Sequence, residues 1–447
     1  MSSHDRIVLG AGVSGLLAAK RAVDRGEHVL VVEREERTGG ILKAMQFAHL
    51  TVDAGAEAFS VITPKALELF AEIGLADDIV YPERTDARIV YSDSLRYRIP
   101  HGVLGIPASL DDPELRHIMS ETTIQEARRR DALPLRPVGG TTVAELVSER
   151  LGDEFVMKLV DPVVTGVHGS SATVLDACAT LPAVVAALPT SGSLCGAVAH
   201  VRRTLPRPGA AVASIRGGLH RVAQALTTHL EQAGVPILLG QTDVELDHLD
   251  QEWMLTSRGG RFSSKFLTIA TGGRGFPGSV SRALGVENER HADAAVDVAL
   301  VLALVESVQL NEFPVGSGAL VSHTHGLAAK ATTHLNAKWH WIREVLAPNT
   351  HLLRLSFGRS GVLPEEDLRH AARRELHALY NVSDARVLDL RIVRWSDALS
   401  KPSPQNRDDA RRLVSAAEQL GVEVCSPLVT GNGLLGIITD HYRRNAA

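Results

Sequence analysis

Residues Arg6 to Ala19 read Arg-Ile-Val-Leu-Gly-Ala-Gly-Val-Ser-Gly-Leu-Leu-Ala-Ala, and no other segment constrains the chain as much. A short β-branched strand runs into a Gly-x-Gly-x-x-Gly turn that opens an Ala/Leu-rich helix, so backbone amides and the positive helix end converge where a pyrophosphate binds. Gly10 serves the tight turn, Gly12 the close approach of phosphate, and Gly15 the packing of helix on strand, with Ala11, Val13 and Ser14 completing the turn. A second strand, His28-Val-Leu-Val-Val, ends on Glu33, about 20 residues on, where a carboxylate accepts hydrogen bonds from a ribose and repels a 2'-phosphate. An ADP-containing dinucleotide other than NADP is expected.

The continuation Arg34-Glu-Glu-Arg-Thr-Gly39-Gly40 looks like the glycine pair with which many FAD enzymes extend this fold, and its position favours FAD over NAD. Taken alone, two adjacent glycines are explained equally well by an ordinary turn.

Length and composition set the bounds. A chain of 447 residues, 45% of them hydrophobic, is expected to form roughly two or three globular domains. A net charge of -5 and basic runs as short as Arg128-Arg-Arg130, Arg202-Arg203 and Arg443-Arg444 argue against a nucleic-acid partner. Cys178, Cys195 and Cys425 are scattered without a Cys-x-x-Cys pair, which argues against a disulfide framework or a zinc site and fits a reducing cytoplasm. The chain opens Met-Ser-Ser-His-Asp and enters a strand at once, without the pattern of a secretion signal. Its longest apolar run, Val298 to Val305, is far shorter than the roughly 18 residues of a transmembrane segment. A cytoplasmic location is expected.

Periodicity places a helix over Pro64–Leu75 and a hairpin over Ala87–Tyr91 and Leu95–Ile99. From about 110 to 210 the pattern is helical, with a capping-box start at Thr141-Thr-Val-Ala-Glu145 and a stripe ending at Gly152. Ser191–Gly196 and Pro206–Ala210 read as linker, closing this lobe. The nucleotide fold resumes with a helix after Ile215-Arg-Gly-Gly-Leu219, strands at Val235–Leu239 and Thr242–Leu246, and the strand Phe266–Ala270 entering the turn Thr271-Gly272-Gly273. Strand-like runs at Val298–Leu304, Gly326–Thr333, Leu352–Phe357 and Val387–Trp395 surround one helix, Glu365–Tyr380. The fold class is α/β (α+β for the whole chain): a discontinuous Rossmann-like FAD domain (1–80, 211–290 and 396–447), a mixed-sheet substrate domain (81–109 and 291–395) and an inserted helical lobe (110–210).

In order along the chain, Val52-Asp-Ala-Gly55-Ala-Glu57-Ala-Phe59, Arg150-Leu-Gly-Asp153-Glu, Val160-Asp-Pro162-Val-Val-Thr-Gly166-Val-His168 and Ser214-Ile-Arg216-Gly-Gly218-Leu219 resemble the FAD-dependent porphyrinogen oxidases of haem synthesis. Ala337-Lys338-Trp339, Leu352-Leu-Arg354 with Gly358, and Arg394-Trp395 with Ala398-Leu399 extend the likeness over nearly the whole chain. The resemblance implies the amine-oxidase-like fold, FAD as cofactor, and the activity of the soluble Gram-positive-type enzymes: six-electron oxidation of coproporphyrinogen III to coproporphyrin III, with O2 as acceptor and H2O2 as product. It also implies a possible contact with a ferrochelatase. Protoporphyrinogen IX oxidation, a flavin-poor porphyrin-binding role, and another amine-oxidase-like activity remain open.

Around the cofactor the resemblance adds Gly55, the backbone of Val244, Ala270, Thr271, Trp395, Gly431, Gly436 and Ile437 to the turn residues. Lys330, Lys338 and Arg354 are candidates to clamp substrate propionates. Trp339 and Trp341 read either as stacking partners or as core-facing indoles of a strand. The electron chemistry belongs to the cofactor, so the catalytic residues are left unassigned. His323 and His325 have no third ligand in sequence and read as ordinary loop histidines, so no metal is expected. His168 reads as a capping or core residue, and Glu57 as structural or substrate-side. Two departures from the family stand out. Gly436 is followed by Ile437-Ile438-Thr439 where relatives carry a second glycine, and a β-branched residue there is expected to hinder backbone approach to the flavin ring. Ser400-Lys401-Pro402 replaces the usual Pro-Gln-Tyr.

Overall fold

The computed structural model describes residues 2–47, 49–92, 95–204, 212–272, 278–286, 295–358, 361–401 and 403–446. The expected linker Pro206–Ala210, Gly273 and Pro402 lie outside the described residues. The chain forms two compact units: Met1–Val80 with Val212–Ala295 and Gln405–Ala447, and Tyr81–Ala211 with Val296–Pro404.

In the first unit the strand Ser2–Leu9 lies between Val29–Val32 and Gly260–Ile269, parallel to both. Ile237–Leu238 extends this sheet beyond Val29–Val32, and Glu423–Val424 joins Gly260–Ile269 at Thr268 and Ile269. The earlier half of Gly260–Ile269 turns antiparallel to Glu252–Ser257, which pairs with Glu245–Leu249, so one long strand serves both a parallel sheet and a meander. Parallel strands covered on both faces must be apolar throughout, which is why Val29–Val32 carries no polar side chain. Val8 and Val31 pack with Leu16, Leu17, Leu226, Leu230 and Ile438 from the helices Val13–Asp24, His220–Gln232 and Leu434–Asn445. Ile7, Leu9, Leu30 and Val32 point the other way, into a core with Leu246, Trp253 and Leu255 of the meander.

The second unit has a seven-stranded mixed sheet, ordered Arg386–Ser400, Ala295–Glu306, Thr350–Phe357, Ala331–His334, Gly318–Val321, Ala87–Val90, Arg96–Arg98. The expected hairpin forms with Arg88 opposite Arg98. Helix Glu365–Tyr380 covers one face through Leu368, Leu376 and Leu379 against Val301, Leu353 and Leu355. The helices between Leu115 and Thr204 build a separate core around Leu146, Phe155, Leu159, Val164 and Val198. The capping box forms as expected, Thr142 and Glu145 bonding reciprocally at the start of Val143–Leu151.

Three local expectations fail for tertiary reasons. Residues 326–330 are not strand, because the buried carboxylate of Glu375 accepts the amides of Ala328 and Ala329 at 3.0 and 2.9 Å and draws them off the ladder. Ser191–Gly196 is no linker. Asp131 accepts the amides of Leu194 and Cys195 at 2.7 and 3.0 Å, capping a helix over Leu194–Thr204 whose Leu194, Ala197 and Val198 are buried. Trp339 and Trp341 do not alternate along a strand; Trp339 lies at the joint between the short helices Leu335–Lys338 and His340–Val345.

Candidate functional site

The dinucleotide turn is built by backbone packing. Gly10 has φ 102°, and a Cβ there would lie 2.7 Å from the Ala270 carbonyl oxygen. A Cβ on Gly15 would overlap the Gly10 carbonyl oxygen, so helix and turn approach closer than any side chain permits. Gly12 differs. Its conformation (φ -67°, ψ 174°) suits any residue, and beyond its chain neighbours and its own helix no atom of the described residues lies within 4 Å of where a Cβ would stand. Gly12 is also the N-cap of Val13–Asp24, whose first-turn amides have no side-chain cap and no acid beside them among the described residues.

The second glycine pair closes over the first. The Gly39 amide donates to the Ala11 carbonyl at 2.8 Å, Gly39 bridges to Gly12, and Gly40 stands against the Gly12 Cα. Glu33 accepts the amide of Ala11 through Oε2 at 2.6 Å and that of Glu35 through Oε1 at 2.8 Å. Arg34 is exposed beside Glu35. Arg37, which the sequence did not single out, donates to the Gly40 carbonyl at 2.7 Å and the Thr38 carbonyl at 3.0 Å, fixing the glycine pair.

Strand Gly260–Ile269 delivers Ala270, whose amide donates to the Leu9 carbonyl at 2.8 Å, and then Thr271, whose buried hydroxyl has no partner among the described residues. Gly55 follows Asp53, whose carboxylate accepts the amides of Leu219 and His220 at 2.7 and 2.9 Å and so caps the helix His220–Gln232. Val244 lies one residue before the meander strand Glu245–Leu249, half-buried. Gly431 is exposed. Gly436 is required by packing, because a Cβ there would overlap the Thr430 carbonyl oxygen. Ile437 is half-buried and lines a small cavity with Ser14, Leu17, Arg21 and His441, while Ile438 is fully buried in the helix–sheet core. The β-branched side chain at the missing glycine thus turns inward.

An open helix N-terminus, a space a Cβ would enter at Gly12, a carboxylate at the second strand's end and an unpartnered buried hydroxyl at Thr271 fit an adenine dinucleotide.

Behind this surface lies a charge cluster. Glu423 pairs with Arg21, with Arg6 at 3.5 Å and with Arg444 at 3.3 Å, and accepts from the Thr268 hydroxyl at 3.0 Å. Burial alone would raise the Glu423 carboxyl, but Arg21, Arg6 and Arg444 outweigh it and hold it below the ordinary range. Burial pushes the Cys425 thiol up to about 11, which leaves it an inert packing group.

In the second unit, Lys330 is 2% exposed, its ammonium 3.5 Å from the Cβ position of Gly169, the left-handed residue ending helix Asp161–His168. Lys338 and Trp339 are brought together, Nζ 5.1 Å from the ring centre, with Trp339 buried. Arg354 is half-buried on Thr350–Phe357, opposite Leu302 and Thr333. Because Leu353 and Leu355 face the helix Glu365–Tyr380, Arg354 projects from the other sheet face. Trp395 is half-buried on Arg386–Ser400. His323 stands 2.9 Å from Asp161, and among the described residues no group of three or more metal-binding side chains occurs. His168 is half-buried, with its pKa lowered by desolvation, and Glu57 is buried.

A profile of flavin containing amine oxidoreductases matches residues 13–264. Coproporphyrinogen III oxidase of Mycobacterium leprae is 31% identical over 427 residues, spanning 91% of this chain and 90% of that protein. The Mycobacterium tuberculosis protein of the same name is 30% identical over 433 residues, spanning 92% and 90%. Human protoporphyrinogen oxidase is 28% identical over 262 residues, 53% of this chain and 52% of that protein. Among solved structures, UDP-galactopyranose mutase superposes with a TM-score of 0.71 at 12% identity, over 99% of this chain and 94% of that one, a likeness of fold alone. With the dinucleotide turn on one side and these likenesses on the other, the chain belongs to the flavin containing amine oxidoreductase family, in its FAD-dependent porphyrinogen oxidase branch.

Proposed function

We propose that the chain oxidises coproporphyrinogen III to coproporphyrin III with bound FAD, and that O2 reoxidises the cofactor with release of H2O2. The observation carrying this reading is the 31% identity with a coproporphyrinogen III oxidase along nine-tenths of both chains, joined to a dinucleotide site that is intact from Gly10 to Thr271. Protoporphyrinogen IX is the second candidate substrate, supported by the shorter likeness to the human enzyme.

FAD supplies hydride acceptance when bound, and the porphyrinogen brings the driving force, since removal of six electrons and six protons makes its macrocycle aromatic. The protein's share is binding and orientation. Gly12 and the free amides of Val13–Asp24 hold the pyrophosphate, Glu33 the ribose, and the Thr271 hydroxyl a polar atom of the cofactor. The first unit is then the FAD-binding part, and the second holds substrate, with its helices as the inserted lobe. Arg354 is the strongest candidate to bind a propionate, because it is half-buried and projects from a sheet face; Lys330 and Trp339 are buried and act at most from behind the surface. Within the first unit, Ile437 is a further cofactor neighbour. A cytoplasmic location, and handover of product to a ferrochelatase, complete the proposal; no single helix among the described residues is long and apolar enough to cross a membrane.

Anaerobic mixing of the FAD-loaded protein with coproporphyrinogen III tests the reading. Bleaching of the flavin absorbance, followed by its return and porphyrin absorbance on admitting O2, is expected; a flavin spectrum unchanged by either porphyrinogen overturns it.

A further inference from the structure

The first helix residue after Leu219 is a histidine that no part of the dinucleotide motif calls for. His220 Nδ1 lies 3.0 Å from Asp53 Oδ1, with the two side chains 12% and 6% exposed. Asp53 also accepts the amides of Leu219 and His220, so the carboxylate is locked in place by three bonds. An ionised carboxylate only accepts, so Nδ1 carries the proton, and a neutral imidazole then presents a lone pair at Nε2. Among the described residues nothing bonds to that nitrogen. A carboxylate-oriented imidazole with its second nitrogen free is an arrangement built to meet a hydrogen-bond donor.

The neighbours along the helix say where it stands. Thr227 bonds through its hydroxyl to that of Thr38 at 2.8 Å. One turn earlier, Ala223 Cβ lies 2.8 Å from where a Cβ on Gly39 would be, and Gly39 is bridged to Gly12. His220 is one further turn towards the helix start. His220 thus stands one turn beyond the residue that packs on Gly39, and its partner Asp53 lies two residues before Gly55. Glu33 marks the adenosine ribose, and Gly12 with Gly39 marks the pyrophosphate. On the far side of the pyrophosphate from adenosine, FAD carries its ribityl chain, a run of hydroxyl donors.

We propose that His220, oriented by Asp53, accepts a hydrogen bond at Nε2 from a ribityl hydroxyl of bound FAD and so discriminates the flavin half of the cofactor. The proposal rests on the FAD reading above. Neither residue belongs to the phosphate turn, and the backbone cap made by Asp53 persists when the imidazole is removed.

The test is a pair of titrations on apoprotein: FAD, followed by flavin fluorescence, and ADP, followed by calorimetry. His220→Ala is expected to raise the Kd for FAD about tenfold and to leave the Kd for ADP, which has no ribityl chain, within twofold of wild type. His220→Gln, whose side-chain carbonyl also accepts, is expected to recover part of the loss and serves as the second variant if the alanine does not fold. An unchanged FAD affinity, or equal weakening of FAD and ADP, overturns the proposal while leaving the FAD reading standing. Wild-type apoprotein that takes up no FAD overturns both.

Discussion

The carboxylate of Glu33 accepts the amide proton of Ala11 at 2.6 Å, so the acid proposed to meet the ribose also holds the glycine turn in shape. Ala11 is fully buried, and a buried amide left without an acceptor costs about 1–3 kcal/mol. Glu33→Ala is therefore expected to lower both the melting temperature of the apoprotein and the affinity for FAD. Glu33→Gln keeps a carbonyl oxygen for the buried Ala11 amide, gives up the acceptor of the exposed Glu35 amide and loses the charge, so it should weaken FAD binding about tenfold with a smaller change in Tm than the alanine variant. A wild-type Tm for Glu33→Ala would show that Glu33 does not support the turn.

Gly12 and Gly15 belong to one motif but answer to different constraints. A Cβ at Gly15 overlaps the Gly10 carbonyl oxygen, whereas a Cβ at Gly12 meets no atom of the other described residues within 4 Å. Gly15→Ala should give little folded protein at all. Gly12→Ala should leave the apoprotein Tm within a few degrees of wild type while abolishing measurable FAD uptake, because the methyl enters space the pyrophosphate needs. Normal FAD content in purified Gly12→Ala would refute that assignment of the space.

The elements legible in sequence were those decided by neighbours a few residues away. The glycine turn, the capping box at Thr142 and Glu145, and the helix Glu365–Tyr380 all depend on spacings of three or four residues, and each forms where expected. Distant partners decided the rest. Residues 326–330 look like strand, but the amides of Ala328 and Ala329 are claimed by Glu375. The helix Leu194–Thr204 looks like linker because its cap, Asp131, lies far upstream. At the candidate site, the spacing of Gly10 to Gly15 and Glu33 was legible in the sequence. The hydrogen bonds of Arg37 and of the Asp53–His220 pair were not, since an arginine beside two acids, or an acid and a histidine far apart in sequence, gives no local signal.

Glu423 holds together parts of the chain that are far apart in sequence. Its carboxylate faces Arg6 on the first strand, Arg21 on the first helix and Arg444 on the last, and accepts from Thr268 on the central strand. Removing its charge leaves the buried Arg21 with no carboxylate partner among the described residues, while Arg6 keeps Glu27 and Arg444 keeps Asp440. Glu423→Gln is expected to destabilise the protein by about 2–3 kcal/mol, seen in urea unfolding as a lower midpoint. Glu423→Met would be worse, since it removes the acceptor for Thr268 as well. A midpoint within error of wild type for both would mean that the cluster contributes nothing net.

The same corner of the fold sets the response to mild acid. His441 is buried at the cavity beside Arg21, and burial, reinforced by Arg21 and Lys20 against the smaller pull of Glu72 and Asp24, holds its pKa down to about 4. In the unfolded chain its pKa is near 6.5. Between these values the unfolded state binds a proton that the folded state refuses, so stability is complete above about pH 6.5 and is lost as the pH falls towards 4. His334, buried in the second unit and held down to about 3, acts with the same sign. Glu423, whose folded pKa is depressed, keeps its stabilising contribution throughout this range and loses it only as the pH falls below the ordinary carboxylate range. From pH 7 to pH 5 the histidines should therefore dominate, each by up to about 1.4 kcal/mol per pH unit. Apoprotein Tm, measured without cofactor so that FAD release does not enter, is expected to fall over this range, and His441→Gln should flatten the decline. A variant that keeps the wild-type slope would show that His441 is already protonated in the folded protein, or that its burial costs nothing.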